Sequence, residues 1–477
     1  MLFNSFDFLI FFPLVTLIYY LLPHRYRWAH LLLASCIFYC AFIPVYIFIL
    51  FFTITIDYTA GRLIEKSVDK KRKQFLILSV LANVSVLVVF KYLNFLTENM
   101  SILLSALHIT THPLPFLNII LPIGLSFHTF QAMSYTIEVY RGNQKAEKHF
   151  GIYALYVMFY PQLVAGPIER PQNLLHQFYE KHELRYENLL HGLRQMLWGL
   201  FKKVVIADRL ALFVNPVFQS PNDYNAINLL IAIFFFAYQV YFDFSGYSDI
   251  ALGSAKLLGF NLTRNFNHPF QSKNVTEFWR RWHISLSSWL SDYIFNPIII
   301  NYRNGGKTTI VFGLLITFFI SGLWHGAGWT FAIFGLLHGA AVIYEFLTQK
   351  IRKKLSKQIP SFLYSAGSQF LTFSFLLFSW IFFRATNLEQ ASLFISKISS
   401  YSTLYFQYIP SQTFGKLSFA VAILGCAYVL ILDRYLDPEL DMLNHKPILD
   451  FAFCTLALFL VLSFGVFEHL SFIYFQF

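Results

Sequence analysis

FFISGLWHGAGWTFAIFGLLHG, residues 318–339, decides the fold. It joins two apolar runs, 308–322 and 328–347, each near the length that crosses about 30 Å of hydrocarbon. Between them lies His325, with Trp324 on one side, Gly326 on the other, and Gly322 and Gly328 close by. Ionisable side chains inside membrane spans are expensive and mark function by default. The glycines allow a helix break or a close approach of backbones, either of which opens room beside the imidazole. His338, some three and a half turns further on, lacks that setting, and a hydrogen-bonded structural role is expected for it.

Further out, apolar runs recur from the N-terminus to Phe477 with short polar gaps. Candidate spans are 3–22, 28–58, 75–95, 116–138, 150–168, 226–243, 308–322, 328–347, 370–384, 416–433 and 449–467. The 28–58 run is too long for one ordinary span, and Pro44 near its middle can divide it. The expected fold is an all-α polytopic membrane protein of roughly ten to twelve spanning helices, with interfacial or re-entrant helices in addition. Hydrophobic residues make up 56% of the chain and charged residues only 13%, which argues against a soluble domain with its usual share of about 25%. Many of the 57 Phe and 28 Tyr are expected to face lipid or to form interfacial belts. The start of the chain has no basic n-region, so 3–22 is expected to remain as a spanning helix.

The net charge of +11 does not point to nucleic acid, because the basic residues sit in short segments between apolar runs. Two clusters, Lys66 to Lys73 (KSVDKKRK) and Lys350 to Lys357 (KIRKKLSK), are expected in the cytoplasm, which requires an even number of crossings between them. The count closes at six if 192–214 lies flat in the interface, as Arg194, Lys202, Lys203, Asp208 and Arg209 among its apolar residues suggest. A division at Pro44 then puts the N-terminus outside. Cys36, Cys40, Cys426 and Cys454 have neither a disulfide framework nor metal-ligand spacing, so no metal site is expected. No internal repeat or long linker separates domains, and residues 1–477 are treated as one membrane domain.

Residues 243–307 break the hydropathy pattern, being rich in polar and aromatic residues yet set between spans. A solvated loop has no need of Trp279, Trp282 and Trp289 at helical spacing beside Arg280, Arg281 and His283. An amphipathic helix over 276–292, lining a cavity or lying in the interface, fits better. In FYPQLVAGPIERPQNLLHQF, residues 159–178, Pro161, Gly166, Pro167 and Pro171 forbid a continuous helix and predict a helix end and turn near Glu169 and Arg170.

Several of these segments resemble the membrane-bound O-acyltransferase family, in the branch of the bacterial alginate O-acetyltransferase membrane subunit. The matching segments are DFSGYSD (243–249), NFNHP (265–269), EFWRRWHISL (277–286), SGLWHG (321–326) and VAGPIERP (164–171). EFWRRWHISL followed some forty residues later by SGLWHG is specific as a pair. The likeness runs from Met1 to about Glu345, while 370–467 resembles the family only as further spanning helices. It implies a helix bundle around a funnel or tunnel, with His325 matching the histidine regarded as catalytic and His283 the second. Trp282, Trp324, Arg281 and Asp243 are candidate substrate-binding residues. One departure stands in IIINYRNGGK (298–307), where only Gly305 and Gly306 supply the glycine of a loop that is glycine-rich in relatives.

The resemblance further implies a multi-pass protein of the bacterial cytoplasmic (inner) membrane, with no tightly bound cofactor and acetyl-CoA or another acyl thioester as donor. Its expected partners are the lipid bilayer, an extracytoplasmic SGNH-type acyltransferase or other glycan-modification proteins, and an acyl carrier protein in the D-alanylation branch. A neutral imidazole can take a hydroxyl proton at neutral pH, so His325 suits a general base or a transient acyl carrier, with His283 orienting it, polarising the carbonyl or binding the acceptor. No GxSxG, HExxH or P-loop supports a serine hydrolase, zinc protease or NTP-driven pump. D-alanyl transfer toward teichoic acid is the alternative within the family. A proton or polar-solute transporter is the alternative outside it, without the internal repeats common in such folds.

Overall fold

A computed structural model of the protein describes residues 1–109, 120–400, 415–435, 447–467 and 472–473. The described residues are helical, without a strand. Among the described residues, six helices are long and apolar enough to cross a membrane: Pro44–Lys66, Asp69–Ala106, Ala226–Leu257, Arg303–His325, Trp329–Leu347 and Ser361–Arg384. Phe6–Leu21, Lys416–Ile431 and Phe451–Phe464 are shorter apolar helices. The chain is therefore an all-α polytopic membrane protein. Its contacts divide it into two compact units, 1–193 with 251–263, and 194–250 with 264–477.

The first unit opens with α1 (Phe6–Leu21), capped by the Ser5 hydroxyl, which accepts the Phe8 N–H. Phe8, Phe12, Val15 and Tyr19 are buried, while Leu9, Leu14 and Leu17 on the other side are exposed, the pattern of a helix with one face to protein and one to lipid. The 28–58 run is divided at Pro44 into α2 (His24–Cys40) and α3 (Ile47–Lys66). α4 (Asp69–Leu87) continues through a π-helical turn into α5 (Leu93–Ala106). α6 (Leu125–Arg141) represents the 116–138 run, whose first residues up to 119 lie outside the described ones. α3, α4 and α6 close around the buried Asp57. Its carboxylate accepts hydrogen bonds from Ser79 Oγ at 2.6 Å and Asn83 Nδ2 at 2.8 Å. An acidic group in an apolar run is thereby held by two donors one turn apart on a neighbouring helix.

The 150–168 run does not fold as a span. α7 (Phe150–Met158) has nine residues, about 14 Å at 1.5 Å each, and Phe159 leaves the helical region before Pro161. Residues 151–169 are all buried, so the apolar character that imitates a span is that of a protein core. The chain turns at VAGPIERP, as its prolines require, into the single turn α8 (Pro171–Leu174).

α9 (Tyr186–Leu200) passes through a π-helical stretch, Phe201–Ala207, into α10 (Asp208–Gln219). The expectation of an interfacial helix over 192–214 is not what forms. Residues 201–207 are buried, and their charges are paired internally. Lys203 Nζ lies 2.8 Å from both Asp208 Oδ1 and Asp243 Oδ1, and Lys202 Nζ lies 2.9 Å from Asp249 Oδ2. These pairs also explain α11 (Ala226–Leu257), which runs straight through DFSGYSD instead of ending at 243. With Asp243 and Asp249 neutralised by lysines, the segment can stay helical and buried, so the polar module begins after residue 257.

That module holds α12 (Val275–Arg281), α13 (Ile284–Leu290) and α14 (Asn296–Asn301), with Trp279, Trp282 and Trp289 all buried. The long helices α15 (Gly306–His325) and α16 (Trp329–Leu347) follow as a hairpin. The Lys350–Lys357 cluster is a helix, not a loop: α17 (Gln349–Gln358). Beyond it come α18 (Ser361–Arg384), α19 (Leu388–Ser399), α20 (Lys416–Tyr435) and α21 (Pro447–Phe464). α20 and α21 pack on the buried π-helical stretch, with Tyr428 against Phe201 and Phe453 against Trp198.

Candidate active site

The tryptophans at helical spacing predict one helix over 276–292; the structure has two. α12 stops at Arg281, Trp282 is extended, and His283 takes the left-handed conformation, φ 44° and ψ 55°, before α13 begins. A non-glycine residue held there costs about 1–3 kcal/mol and persists only where the surroundings over-determine it. Here both helix starts are fixed by distant residues. At α12 the Glu345 carboxylate, from α16, accepts the N–H groups of Val275 at 2.6 Å and Thr276 at 2.9 Å. At α13 the Asn265 carbonyl accepts Ile284 N–H at 2.9 Å, and its side-chain oxygen accepts the Ser285 hydroxyl at 2.7 Å. Asn267 N–H donates to Arg281 C=O at 2.9 Å, binding the same loop to the end of α12. The break that turns His283 inward is thus built by NFNHP.

His325 ends α15, and Gly326 is extended. α15 and α16 turn back on each other through Gly326, Ala327 and Gly328, and their backbones meet at Gly322 and Gly335. A Cβ at Gly322 would strike the Phe331 carbonyl, and one at Gly335 the Phe318 carbonyl, so this approach requires glycine on both helices. Residues 283 and 325, far apart in sequence, come together on one ring. The Trp324 indole centroid is 5.6 Å from His283 and 5.0 Å from His325. Both histidines are buried, at 0% and 3% exposure. Phe244 of α11 packs edge-on to His283 at 4.7 Å, and Phe383 of α18 lies 5.2 Å from His325.

His338 is occupied differently. Trp279 Nε1–H donates to its Nδ1 at 3.1 Å, which leaves Nε2 as the protonated nitrogen of a neutral ring. Nε2 lies 3.0 Å from Ser379 Oγ, and that hydroxyl donates onward to the Leu376 carbonyl. The chain of bonds ties α12, α16 and α18 together, the structural role its sequence setting suggested.

The sequence model of the MBOAT, membrane-bound O-acyltransferase, family matches residues 65–385. The chain belongs to this family. It is 34% identical over 449 residues to a probable alginate O-acetylase of Pseudomonas syringae pv. tomato, covering 92% of this chain and 84% of the relative. It is 35% identical over 389 residues to a peptidoglycan O-acetyltransferase of Helicobacter pylori, covering 76% and 71%. A teichoic acid D-alanyltransferase of Streptococcus thermophilus is more distant, 29% identical over 248 residues, with 49% of this chain covered. The protein is an O-acyltransferase, and the likeness extends past Glu345, where sequence reading had ended it.

In this membrane-bound O-acyltransferase, the other sequence candidates take distinct places. Trp282 is buried among Phe266, Phe278 and Trp380, with ring centroids at 5.1, 5.4 and 5.7 Å. Arg281 pairs with Glu277 at 2.9 Å and donates to the Asn267 carbonyl. Asp243 holds Lys203 through Oδ1, and its Oδ2 accepts Ile473 N–H at 2.8 Å. Sequence reading passed over Asn265, Phe244, Ser379 and Phe383 as site residues. The signal for the last two was a serine and an arginine in the otherwise apolar SWIFFR of 379–384.

Asn265→Ala removes the side-chain acceptor at the start of α13 while leaving both histidines in the chain. Losing such a cap costs about 0.5–2 kcal/mol. Acyl transfer per folded molecule should fall with it, and Asn265→Asp, which keeps an acceptor oxygen, should restore most of it. Unchanged turnover in Asn265→Ala would show that NFNHP does not position His283.

Proposed function

We propose that this chain transfers acetyl groups from a cytoplasmic thioester, acetyl-CoA or another acyl thioester, toward a polysaccharide outside the cell. His325 would be the catalytic residue and His283 its neighbour in the site. The observation that carries this reading is the convergence of two buried histidines, each set at a helix break, on the single indole of Trp324. An acceptor O–H gives its proton to an imidazole nitrogen of His325 while its oxygen attacks the thioester carbonyl. The C–S bond then breaks, and the thiolate leaves with the proton held on the imidazolium. General-base help of this kind is worth about 10²–10⁴ in rate.

The acetyl group, in preference to D-alanine, is favoured because the relatives sharing most of the chain are named for O-acetylation, while the D-alanyltransferase relative covers 49% of it. The names of those relatives, alginate O-acetylase and peptidoglycan O-acetyltransferase, suggest an acceptor polysaccharide, and the family resemblance adds an SGNH-type transferase on the outer side as partner. The bacterial cytoplasmic membrane is the matching location. Mass analysis of cell-surface glycans with and without the gene tests the reading. Acetyl esters should disappear in the deletion and return with the intact gene. Loss of D-alanyl esters with acetyl esters intact would transfer the protein to the other branch.

Orientation follows from the basic clusters at the α3–α4 junction and on α17, which belong on the cytoplasmic side. Because 150–168 makes no crossing, the even count between them is kept by the continuous helix of α9 and α10, residues 186–219, crossing in its place. Cysteine at position 70 or 354 should be protected from an impermeant thiol reagent in intact cells and react once the membrane is permeabilised. Labelling of either in intact cells would reverse the topology.

A further inference from the structure

At the end of α15 away from His325 lies a cavity of about 690 Å³, bounded by α12, α15, α16 and α17. Leu314 in its wall is eleven residues from His325, about 17 Å along the helix. Its rim carries Arg280, Arg352 and Lys353, and Leu314 and Phe346 form part of its apolar wall. The one carboxylate present, Glu345, is already committed to the start of α12 through Val275 N–H, Thr276 N–H and the Thr276 hydroxyl. None of the three cations is in an ion pair among the described residues. The cavity therefore joins uncompensated positive charge to an apolar interior.

α17 shows what surrounds that rim. It carries Lys350, Arg352, Lys353, Lys354 and Lys357, yet Ile351 and Leu355, one turn apart, are 70% and 45% exposed. Apolar side chains on one face of a strongly basic helix are the pattern of a helix lying in a headgroup layer. Basic pockets between helices at that level suit anionic headgroups. A soluble phosphate needs neither the apolar wall nor the exposed isoleucine and leucine beside it.

We propose that this cavity binds one anionic glycerophospholipid, its phosphate at Arg280, Arg352 and Lys353 and an acyl chain over Leu314 and Phe346. The site is separate from the histidines and does not depend on what the enzyme acylates.

The full-length protein, delipidated in detergent, would be titrated with dioleoylphosphatidylglycerol and the bound lipid counted by native mass spectrometry. One lipid should bind in preference to phosphatidylcholine. Each rim cation is worth roughly fivefold in affinity, so Arg352→Gln/Lys353→Gln should weaken binding about 25-fold and the triple variant with Arg280→Gln about a hundredfold. Lys350→Gln/Lys354→Gln/Lys357→Gln, which removes as much charge from α17 outside the cavity lining, should leave the single lipid in place. The α17 double variant alters the half-buried Arg352 and the exposed Lys353, neither of them in an ion pair among the described residues, and should stay folded, so its result stands even if the triple variant does not. Three results would overturn the site: equal weakening by the cavity and control variants, equal binding of phosphatidylcholine, or displacement of the lipid by coenzyme A. The last would assign the cations to a soluble nucleotide phosphate instead.

Discussion

His325→Ala is expected to bring acyl transfer down to background while the protein still inserts and extracts in folded form. The imidazole ends a helix whose neighbours, Trp324, Phe334 and Phe383, remain to pack on one another. Its truncation removes the chemistry, about 10²–10⁴ in rate for a general base and more for an acyl carrier. His283→Asn is the companion variant, because asparagine tolerates the left-handed backbone that His283 occupies. It should also be strongly impaired, and the double variant hardly worse than the worse single one, as groups acting together are non-additive. His338→Ala supplies the contrast. It strands the buried Trp279 N–H, at about 1–3 kcal/mol, and takes one partner from the Ser379 hydroxyl, which keeps its bond to the Leu376 carbonyl, so yield and melting temperature fall. Activity per folded molecule survives there. Near wild-type turnover in His325→Ala would end the catalytic assignment.

The second large effect is on stability. Lys203→Met should cost about 3–5 kcal/mol, the penalty for breaking a buried ion pair from one side, because it leaves Asp208 and Asp243 facing each other without their cation. Against a total stability of about 5–15 kcal/mol, that is enough to lose most of the folded yield. Adding Asp208→Asn and Asp243→Asn to Lys203→Met should recover much of it, since a neutral cluster no longer confines unpaired charge. Detergent melting curves of the single and triple variants decide the matter. A single variant that melts with the wild type would show that the cluster does not hold α10 to α11.

The parts of this architecture legible in sequence are those set by local rules. Pro44 divides its run because a proline nitrogen has no hydrogen to donate. Gly326 ends α15 beside His325, and the uninterrupted apolar runs of 308–322 and 328–347 become α15 and α16. What was not legible depends on partners remote in the chain. Lys202 and Lys203 look like interfacial residues until Asp243 and Asp249, some forty residues on, are brought beside them. The break at His283 follows from Asn265, eighteen residues earlier, not from anything in the tryptophan spacing. The 150–168 run has a membrane composition because it is wrapped by protein, a state hydropathy alone does not separate from lipid. Of the site, the two histidines and Trp324 could be named from their motifs, whereas Phe244 and Phe383 required the fold.

The glycine-to-glycine approach of α15 and α16 has a consequence for biogenesis. A pair joined by three small uncharged residues, with its closest contact made between its own two backbones, is complete as soon as residue 347 has left the ribosome. Nothing polar in the turn has to be dragged across the bilayer except the histidine itself, which ends the first helix with its ring already beside Trp324. The nascent chain can therefore insert this pair in one step and place His325 beside Trp324 before α18, which adds Phe383, has been synthesised.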